Sequence, residues 1–356
     1  MEIATIAFLL SAPITVFQSP AEPYHTFRIP SLINTKAQTL LAIAEARQSQ
    51  SDASNNTIVL RRSTDKGITW QAIETVAQPK GGSYNNPTIV ETPNQTLILH
   101  FQHYPAGTHE YDIQPGHTGS KTVQTYQITS TDQGKSWSKP INFTAQIKHP
   151  DAHTLASGPG IGIVTTRGKH PGRIIIPYNQ RVDKRWFVNM AISDNNGKSW
   201  RQGKPVPASP EYQPNEVQVV ELASGEILLN ARNQAPDKFR LTALSQDQGE
   251  TFDSAHPNAD LPDPTCQASI LRFAWPKDNR PGIIAFANPA NQNSRTQGTI
   301  KFSLDEGQSW VSSALLEKGS FQYSSMTMLT YDTLGILYEH VTNNQFQIRF
   351  RRLKIE

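Results

Sequence analysis

One eight-residue pattern, Ser-x-Asp-x-Gly-x-x-Trp, recurs five times along this chain and constrains its fold more than any other feature. The five copies, which we call octets, occupy residues 63–70, 130–137, 193–200, 245–252 and 303–310. The third copy has Asn195 in place of the aspartate, and the fourth has Phe252 in place of the tryptophan. Ser and Asp side chains hydrogen-bond to turn amides, glycine adopts a positive φ, and the aromatic residue leads the next strand into the core. Each octet therefore predicts a hairpin turn with a structural role, on a rim away from any functional site.

The spacing of the octets predicts the architecture. They recur at intervals of roughly 50–70 residues, the length of a four-stranded propeller blade, and alternating strands precede them, as at 57–62 and 122–128. Dividing the 356 residues by this interval gives about six blades. We therefore predict an all-β, six-bladed β-propeller that forms a single domain over residues 1–356. The alternating strand at 345–350 is expected to pair with an N-terminal strand and close the ring.

The composition is consistent with this fold and excludes several classes of protein. Hydrophobic residues make up 37% of the chain and charged residues only 18%, which favours short strands and turns over helices. The net charge of +3 includes no basic run, so we expect no nucleic-acid partner. Cys266 is the lone cysteine, which rules out an intrachain disulfide and a cysteine-based metal site. We expect no catalytic metal among the ten histidines, and no cofactor.

The N-terminus supports two interpretations. Residues 6–12 are an apolar run with small residues behind it, as in a signal peptide, so that residues 1–14 would be the remnant of a signal segment. However, the residues before this run include Glu2 and no Lys or Arg, and residues 15–17 are typical of a first strand. Both interpretations stay open, and a secreted or periplasmic location is favoured over a cytoplasmic one. No later run reaches membrane-spanning length, so we expect no membrane span.

Three arginines stand in unusual contexts. Arg28 lies between apolar neighbours and is followed by Ile29-Pro30, Arg232 lies on the strand at 228–233, and Arg295 ends a loop just ahead of a strand. In a propeller the inner strands and their loops point toward the central axis, so these side chains are candidates for one pocket. Taken singly, each has a simpler explanation as a solvated arginine.

Two carboxylates and a tyrosine complete the set of candidates. Asp52 is the acid of a polar loop after a hydrophobic strand, although it has the alternative role of a turn former. Glu216 shares one face of an alternating strand with Val220, which is unusual for a carboxylate unless it is paired, and the following hairpin brings Arg232 near it. Tyr323 stands between the turn at 319–320 and a predicted hairpin; taken alone, it would be a core tyrosine with a satisfied hydroxyl.

Taken together, these motifs resemble the sialidase family of exo-acting glycosidases over essentially the whole chain. The shared motifs occur in the family's order: Phe-Arg-Ile-Pro at 27–30, the repeated Asp-box turns, residues 157–163, the strand at 215–222, Asn-x-Arg at 230–232 and Tyr-Ser-Ser at 323–325. Asp-box turns also occur in unrelated propellers, so it is the ordered set that is specific. The segment after Asp52 lacks the acidic residues that many bacterial members have there.

The resemblance implies a role for each candidate residue. Arg28, Arg232 and Arg295 match the family's arginine triad, and Glu339 matches the carboxylate that braces the first of them. The assignment of Arg295 competes with Arg272 and Arg280 in the same region. The remaining matches are Tyr323 as the nucleophile, Glu216 as its partner, Asp52 as the acid/base and Arg47 as a further pocket arginine.

The function implied by the resemblance is that of an exo-α-sialidase, which hydrolyses terminal α-linked sialic acid from glycoconjugates with retention through a tyrosyl-enzyme intermediate. Its partners would be sialic-acid-containing glycans, while the sequence leaves the oligomeric state unknown. One alternative keeps the site but changes the sugar to Kdn or another ulosonic acid, or changes the acceptor as in a trans-sialidase. A non-catalytic glycan-binding propeller is the alternative from a different class.

A long loop at 103–120 carries a group of aromatic and histidine residues: Tyr104, His109, Tyr111 and His117. Loops of this length tend to be functional, so we expect this one to overhang the pocket. A surface excursion without a role is the alternative.

Overall fold

A computed structural model describes residues 7–310 and 312–356 of the chain. Its N-terminal strands are β1 (Phe8–Leu10) and β2 (Ile14–Gln18). The segment interpreted above as a signal remnant, residues 1–14, therefore falls partly outside the described residues, since 1–6 are not among them. The remainder of that segment contributes β1 and the start of β2 to the fold.

The described residues form six antiparallel blades around a ring, which confirms the predicted six-bladed β-propeller. Blade 1 contains β3 (Thr26–Asn34), β4 (Leu40–Arg47), β5 (Thr57–Ser63) and β6 (Glu74–Ala77). All eight residues of β4, Leu-Leu-Ala-Ile-Ala-Glu-Ala-Arg, are buried, because sheets on both sides cover this strand. A continuous apolar run is what such a strand requires.

The second and third blades are more elaborate than the first. Blade 2 contains β7 (Ser83–Glu91), β8 (Leu97–Tyr104), β9 (Gln124–Ser130) and β10 (Ile141–Asn142), followed by the short helix α1 (Thr144–Ile147). Blade 3 contains β11 (Ala152–Ser157), β13 (Ile163–Val164), β14 (Ile174–Val182), β15 (Arg185–Ser193) and β16 (Arg201–Gln202). Between β11 and β13, the strand β12 (Gly160–Ile161) pairs in parallel with β7 and so joins the two blades near the axis.

The fourth and fifth blades are four-stranded sheets. Blade 4 contains β17 (Pro214–Glu221), β18 (Ile227–Asn233), β19 (Phe239–Ser245) and β20 (His256–Pro262). Blade 5 contains β21 (Ser269–Ala274), β22 (Ile283–Pro289), β23 (Thr296–Ser303) and β24 (Ser312–Ser320). Apolar side chains of consecutive blades pack face to face, so the core is a set of layers between the blades.

Blade 6 closes the ring with strands from both ends of the chain. It contains β25 (Ser324–Met328), β26 (Thr333–Thr342) and β27 (Gln345–Ile355). Strand β2 pairs with residues 347–350 of β27, and β1 pairs with residues 353–355. The prediction that the alternating strand at 345–350 pairs with an N-terminal strand is therefore confirmed. Closure satisfies backbone groups that would otherwise form an exposed sheet edge.

The octets form turns, as predicted, and each leads into the last strand of its blade in blades 1 to 5. In blade 2, the Ser130 hydroxyl accepts a hydrogen bond from the Gly134 amide at 2.9 Å, and Asp132 accepts one from the Ser136 amide at 2.9 Å. The φ of Gly134 is 75°, a value that favours glycine. No helix in the described part of the chain is long and apolar enough to span a membrane.

Candidate active site

A cavity of about 300 Å³ opens at one end of the central axis. The inner strands β3 and β17 begin there with Arg28 and Glu216, and Tyr323 directly precedes β25. Because β5 runs parallel to β3, the octet that follows β5 lies at the opposite end of the ring. This octet therefore lies away from the cavity, as the sequence predicted for the octets.

Seven of the eight residues selected from the sequence line this cavity: Arg28, Arg47, Asp52, Glu216, Arg232, Arg295 and Tyr323. The eighth, Glu339, lies on β26 behind Arg28. The competing arginines do not reach the cavity. Arg272 pairs with Glu306 at 2.5 Å, and Arg280 belongs to a turn with Lys277.

Tyr323, Glu216 and Arg232 form a hydrogen-bonded cluster in the floor of the cavity. The buried Tyr323 hydroxyl donates to Glu216 Oε1, and Arg232 Nη1 donates to Glu216 Oε2 at 2.7 Å. The same Nη1 lies 3.3 Å from the tyrosine oxygen. The neighbouring strands β17 and β18 supply Glu216 and Arg232, as the hairpin in the sequence predicted. One carboxylate thus contacts both the phenol and a guanidinium.

Electrostatics keeps the Tyr323 phenol protonated in the unliganded site. Burial raises its pKa well above 10, and the charge of Glu216 raises it further, although Arg232 and Arg295 act in the opposite direction. The hydrogen bond to Glu216 nevertheless aims this proton at a carboxylate that is able to accept it. The arrangement is a neutral nucleophile with a base already in contact.

Arg28 is held by a backbone distortion and a carboxylate from a distant part of the chain. Glu339 Oε1 accepts hydrogen bonds from Arg28 Nε and from the Ile29 amide, both at 2.7 Å. Ile29 has a φ of 56°, which is strained for a β-branched residue, and the register of β3 shifts here. This bulge directs Arg28 toward the axis, where its guanidinium carbon lies 5.6 Å from the centre of the Tyr323 ring.

Arg295 also lies close to the ring of this tyrosine. Its guanidinium carbon is 5.6 Å from the centre of the Tyr323 ring, and its Nη2 donates to the Thr265 carbonyl at 3.1 Å. Cys266 packs beneath, in a small cluster with Ile29 and Tyr323. Burial raises the pKa of the Cys266 thiol to about 12, so it is neutral and adds no charge to the pocket.

Arg47 and Asp52 form a second charged cluster that lines the cavity. Arg47 is fully buried, and it contacts Glu45 Oε2 at 2.6 Å and Asp52 Oδ1 at 2.5 Å. The Asp52 side chain is 70% exposed at the mouth of the cavity. Although the side chain is exposed, the surrounding cavity walls partly desolvate the Asp52 carboxylate, which raises its pKa. The charges of Arg47 and Arg28 and the hydrogen bond from Arg47 outweigh this effect, so the pKa of Asp52 lies below the ordinary value.

The loop at 103–120 reaches the cavity in part. Thr108, His109 and Glu110 of the loop line it together with Tyr104 at the end of β8, as expected for a loop that overhangs the pocket, whereas Tyr111 does not line it. His117 instead contacts the Lys148 carbonyl at 2.8 Å, at the base of the loop.

The sequence analysis missed other lining residues because nothing in their local sequence distinguishes them: Asn85, Asn86, Thr154, Ala156, Asn179, Trp186, Asn215 and Gln234. Glu45 had a usable signal, since it is a carboxylate within the otherwise apolar run of β4.

No three His, Cys, Asp or Glu side chains are grouped to hold a metal ion in residues 7–310 and 312–356. His149 and His153 are four residues apart, a spacing that aligns two ligands on a helix. Here His149 lies in a turn and His153 in β11, so this helical alignment does not apply.

The site therefore combines three half-buried guanidinium groups, a phenol in contact with a carboxylate, and an exposed carboxylate at the mouth. Three convergent arginines favour a ligand that carries a carboxylate or another oxyanion. A phenol–carboxylate pair and a separate carboxylic acid line the same cavity. The phenol is placed for a nucleophilic step, and the separate acid is placed for proton transfer.

Comparison with known proteins shows which family this chain resembles. A family model described as a BNR repeat-like domain matches residues 38–336. A sialidase from Micromonospora viridifaciens is 34% identical over 347 residues, which cover 91% of this chain and 51% of that protein. Sialidase-2 of Rattus norvegicus is 30% identical over 329 residues, which cover 85% of this chain and 84% of that protein.

A solved structure titled Hadza microbial sialidase Hz136 superposes with a TM-score of 0.82 at 27% identity. The match covers 93% of this chain and 66% of that chain. The chain spans about half the length of the Micromonospora relative, so that protein contains a large part with no counterpart here.

Proposed function

Because this chain belongs to the sialidase family, with its BNR repeat-like domain, we propose that it is an exo-α-sialidase. Its substrates are glycoproteins, glycolipids and oligosaccharides that end in α-linked sialic acid. The observation that carries the proposal is the contact of the Tyr323 hydroxyl with Glu216 inside a ring of three arginines. A pocket that only binds glycans has no need for a phenol held against a base.

Recognition of the sugar depends on the three arginines. A sialic acid carries its carboxylate on the anomeric carbon, so a clamp on that carboxylate also fixes the reacting centre. Arg28, Arg232 and Arg295 each supply a charge-assisted hydrogen bond worth about 1.5–3 kcal/mol before desolvation costs. Glu339 restrains Arg28 before the substrate arrives, which reduces the entropy lost on binding.

Tyr323 is the nucleophile in this proposal. A carboxylate nucleophile would be repelled by the substrate carboxylate beside the anomeric carbon, whereas a neutral phenol is not. Sialidases with a tyrosine nucleophile depart in this way from the paired-carboxylate rule of other glycosidases. As the tyrosine oxygen forms its bond to the anomeric carbon, its proton passes to Glu216 Oε1.

Asp52 provides the second proton transfer. It donates a proton to the glycosidic oxygen as the bond from that oxygen to the anomeric carbon breaks. In the second step it removes a proton from the water that attacks the anomeric carbon. The bond from this carbon to the tyrosine oxygen breaks as Glu216 returns its proton to Tyr323. Two displacements at one carbon give retention of configuration.

The test is the release of 4-methylumbelliferone from its α-glycoside of N-acetylneuraminic acid, with and without a chelator. We expect Tyr323→Phe to lower kcat by at least about 10³-fold, since only the nucleophilic oxygen is removed. Tyr178→Phe is the matched control, because that tyrosine is also fully buried but bonds to His100 outside the cavity. Full activity in Tyr323→Phe would contradict the mechanism.

Two further measurements separate the alternative activities. Comparison of the N-acetylneuraminic acid glycoside with the matched Kdn glycoside identifies the preferred sugar. Product analysis with excess lactose detects transfer to an acceptor in place of water. If the wild type cleaves neither glycoside but binds sialylated glycans, the protein is a binding propeller and the proposal fails.

A further inference from the structure

Asp52 lies on the loop that joins β4 to β5, residues 48–56, and most of this loop is open to solvent. Residues 48–55 are all exposed or half-buried, whereas Asn56, the last residue before β5, is fully buried. Serine side chains make several local contacts in the loop, for example where the Ser51 amide donates to Ser49 Oγ at 3.1 Å. Contacts between such exposed groups restrain a loop weakly, because water competes for the same donors and acceptors.

Two buried asparagines hold the main chain of Asp52. Asn56 Nδ2 donates to the Asp52 carbonyl at 2.7 Å, and Asn85 Nδ2 donates to the same carbonyl at 3.0 Å. Asn56 belongs to blade 1, whereas Asn85 lies on β7 of blade 2. The backbone of Asp52 is therefore tied to both blades, in addition to the contact of its side chain with Arg47.

Asn56 is itself anchored by backbone contacts that do not involve its side chain. The Asn56 amide donates to Ser83 Oγ at 3.2 Å, and the Asn56 carbonyl accepts a hydrogen bond from the Tyr84 amide at 2.9 Å. The side-chain oxygen accepts one from Ser54 Oγ at 3.1 Å, so the side-chain nitrogen faces the Asp52 carbonyl. Truncation of this side chain leaves both backbone contacts in place, so it releases the loop without detaching β5.

A general acid on an exposed loop depends on such a restraint. Proton transfer requires the acid to lie within hydrogen-bond reach of the glycosidic oxygen, about 2.6–3.2 Å, and a displacement of about 1 Å can cost on the order of 10²-fold in rate. Arg47 contacts only one carboxylate oxygen, Oδ1, and the Asp52 side chain is 70% exposed. The two amide contacts add what Arg47 does not supply, since they fix the main chain from which the carboxylate extends.

We propose that Asn56 is a positioning residue for the acid step, which holds the Asp52 carbonyl so that the Asp52 carboxylate stays within reach of the glycosidic oxygen. This inference rests on the proposed sialidase function, in which Asp52 is the acid. Asn56 does not line the cavity, so its effect on the reaction passes through Asp52 and not through a contact with the substrate. The effect is therefore largest for a substrate whose leaving group must be protonated.

The test measures kcat/KM of Asn56→Ala on the methyl and the 4-methylumbelliferyl α-glycosides of N-acetylneuraminic acid. We expect a loss of about three- to thirtyfold on the methyl glycoside, and of less than about twofold on the 4-methylumbelliferyl glycoside, whose leaving group needs less protonation. Ser49→Ala is the matched control, because it removes a hydrogen bond within the same loop that does not involve Asp52. We expect this control to retain the wild-type kcat/KM on both glycosides.

A double variant shows whether Asn56 acts through Asp52. In the Asp52→Asn protein the acid is already absent, so adding Asn56→Ala should change kcat/KM for the methyl glycoside less than about twofold. A merely structural role predicts instead the same fold loss with and without Asp52. Urea unfolding of Asn56→Ala identifies any loss of stability, which lowers the activity on both glycosides alike.

The outcomes separate this inference from the function on which it rests. Equal losses on the two glycosides, no loss on the methyl glycoside, or the same fold loss in the Asp52→Asn protein would each overturn the positioning role while the sialidase function stands. A loss in Ser49→Ala as large as in Asn56→Ala would overturn it too. A wild type inactive on both glycosides would overturn the function and this inference with it.

Discussion

Asp52 meets two opposed electrostatic requirements at one residue. Its contact with Arg47 at 2.5 Å stabilises the carboxylate, and the nearby Arg28 adds to this effect. A general acid, however, must carry a proton when the glycosidic bond breaks. Since its pKa lies below the ordinary value, the protonated fraction of Asp52 in the free protein falls about tenfold for each pH unit above that pKa.

The consequence is a pH dependence that is specific to poor leaving groups. For the methyl α-glycoside, we expect wild-type kcat/KM to decrease as pH rises through the weakly acidic range, because the profile reports the free protein. Asp52→Asn removes the acid, so this decrease should disappear and kcat/KM at acidic pH should fall about 10²–10⁴-fold. The loss should be smaller for the 4-methylumbelliferyl glycoside, whose leaving group needs less protonation.

Measurement of kcat/KM between pH 4 and 8 for both glycosides, in wild type and variant, checks this expectation. Because the Asp52 side chain is largely exposed, the substitution is not expected to affect folding. Equal losses on the two glycosides, or a variant profile with the wild-type slope, would show that Asp52 is not the acid.

At the scale of elements, the octet turns were predictable because their contacts are local. In the turn at 130–137, the serine and aspartate bond to groups two to four residues away, so the sequence contains both partners. The Asn195 copy keeps the same contact with the Ser199 amide at 3.0 Å, which shows that the acceptor oxygen is needed but the charge is not. The charge instead makes the turn sensitive to acid.

Asp132→Asn tests this sensitivity. Hydrogen bonds from the Ser136 hydroxyl and amide lower the pKa of Asp132 to about 2, below its usual 3.8. The carboxylate therefore contributes stability that is complete above about pH 4 and is lost as pH falls toward 2. We expect the variant to be less stable at pH 6 by at most about 1 kcal/mol, since the turn is solvent-exposed.

Urea unfolding of wild type and Asp132→Asn at pH 6, 4 and 3 measures the effect. The difference in unfolding free energy between them should be constant from pH 6 to 4 and should shrink at pH 3. If the difference in unfolding free energy grew as the pH fell, it would contradict a stabilising role for the Asp132 carboxylate. The natural Asn195 turn predicts that the variant folds.

Other elements were not predictable, because their geometry depends on distant residues. The bulge at Ile29 in β3 is held by Glu339 of blade 6, and a similar bulge at Asn86 in β7 is held by Glu45 of blade 1. In each case a carboxylate of one blade accepts a hydrogen bond from a backbone amide of the next. Local sequence predicts the strands and shows a carboxylate in an apolar run at Glu45, but it does not show which distant amide such a carboxylate binds. These inter-blade contacts direct the inner strands at the site.

At the scale of the molecule, the repeat predicted the number of blades, and the ends of the chain predicted ring closure. The candidate site is different, since Arg28 and Glu339 are 311 residues apart in sequence and meet only in the closed ring. Arg28 was a candidate from its local context, but Glu339 and its contact with Arg28 were implied only by the resemblance to a family. Asn179 on β14 and Trp186 on β15 of blade 3 have no distinctive sequence context, so only the structure shows that they line the cavity.

Ring closure makes stability depend on a strand that contributes no side chain to the site. Phe17 on β2 is fully buried, and its ring packs against that of Phe27 at a centroid distance of 5.3 Å. It belongs to one cluster with Ile348 and Phe350 of β27. We expect Phe17→Ala to lower the unfolding free energy by about 3–5 kcal/mol, through lost burial and the cavity left behind. Because Phe17 lies away from the cavity, kcat/KM of the folded variant should equal that of the wild type.

Urea unfolding with Leu9→Ala as the control, at an exposed position of β1, measures the difference in unfolding free energy. If the two variants lost equal stability, the closing strand would not be what holds the ring together.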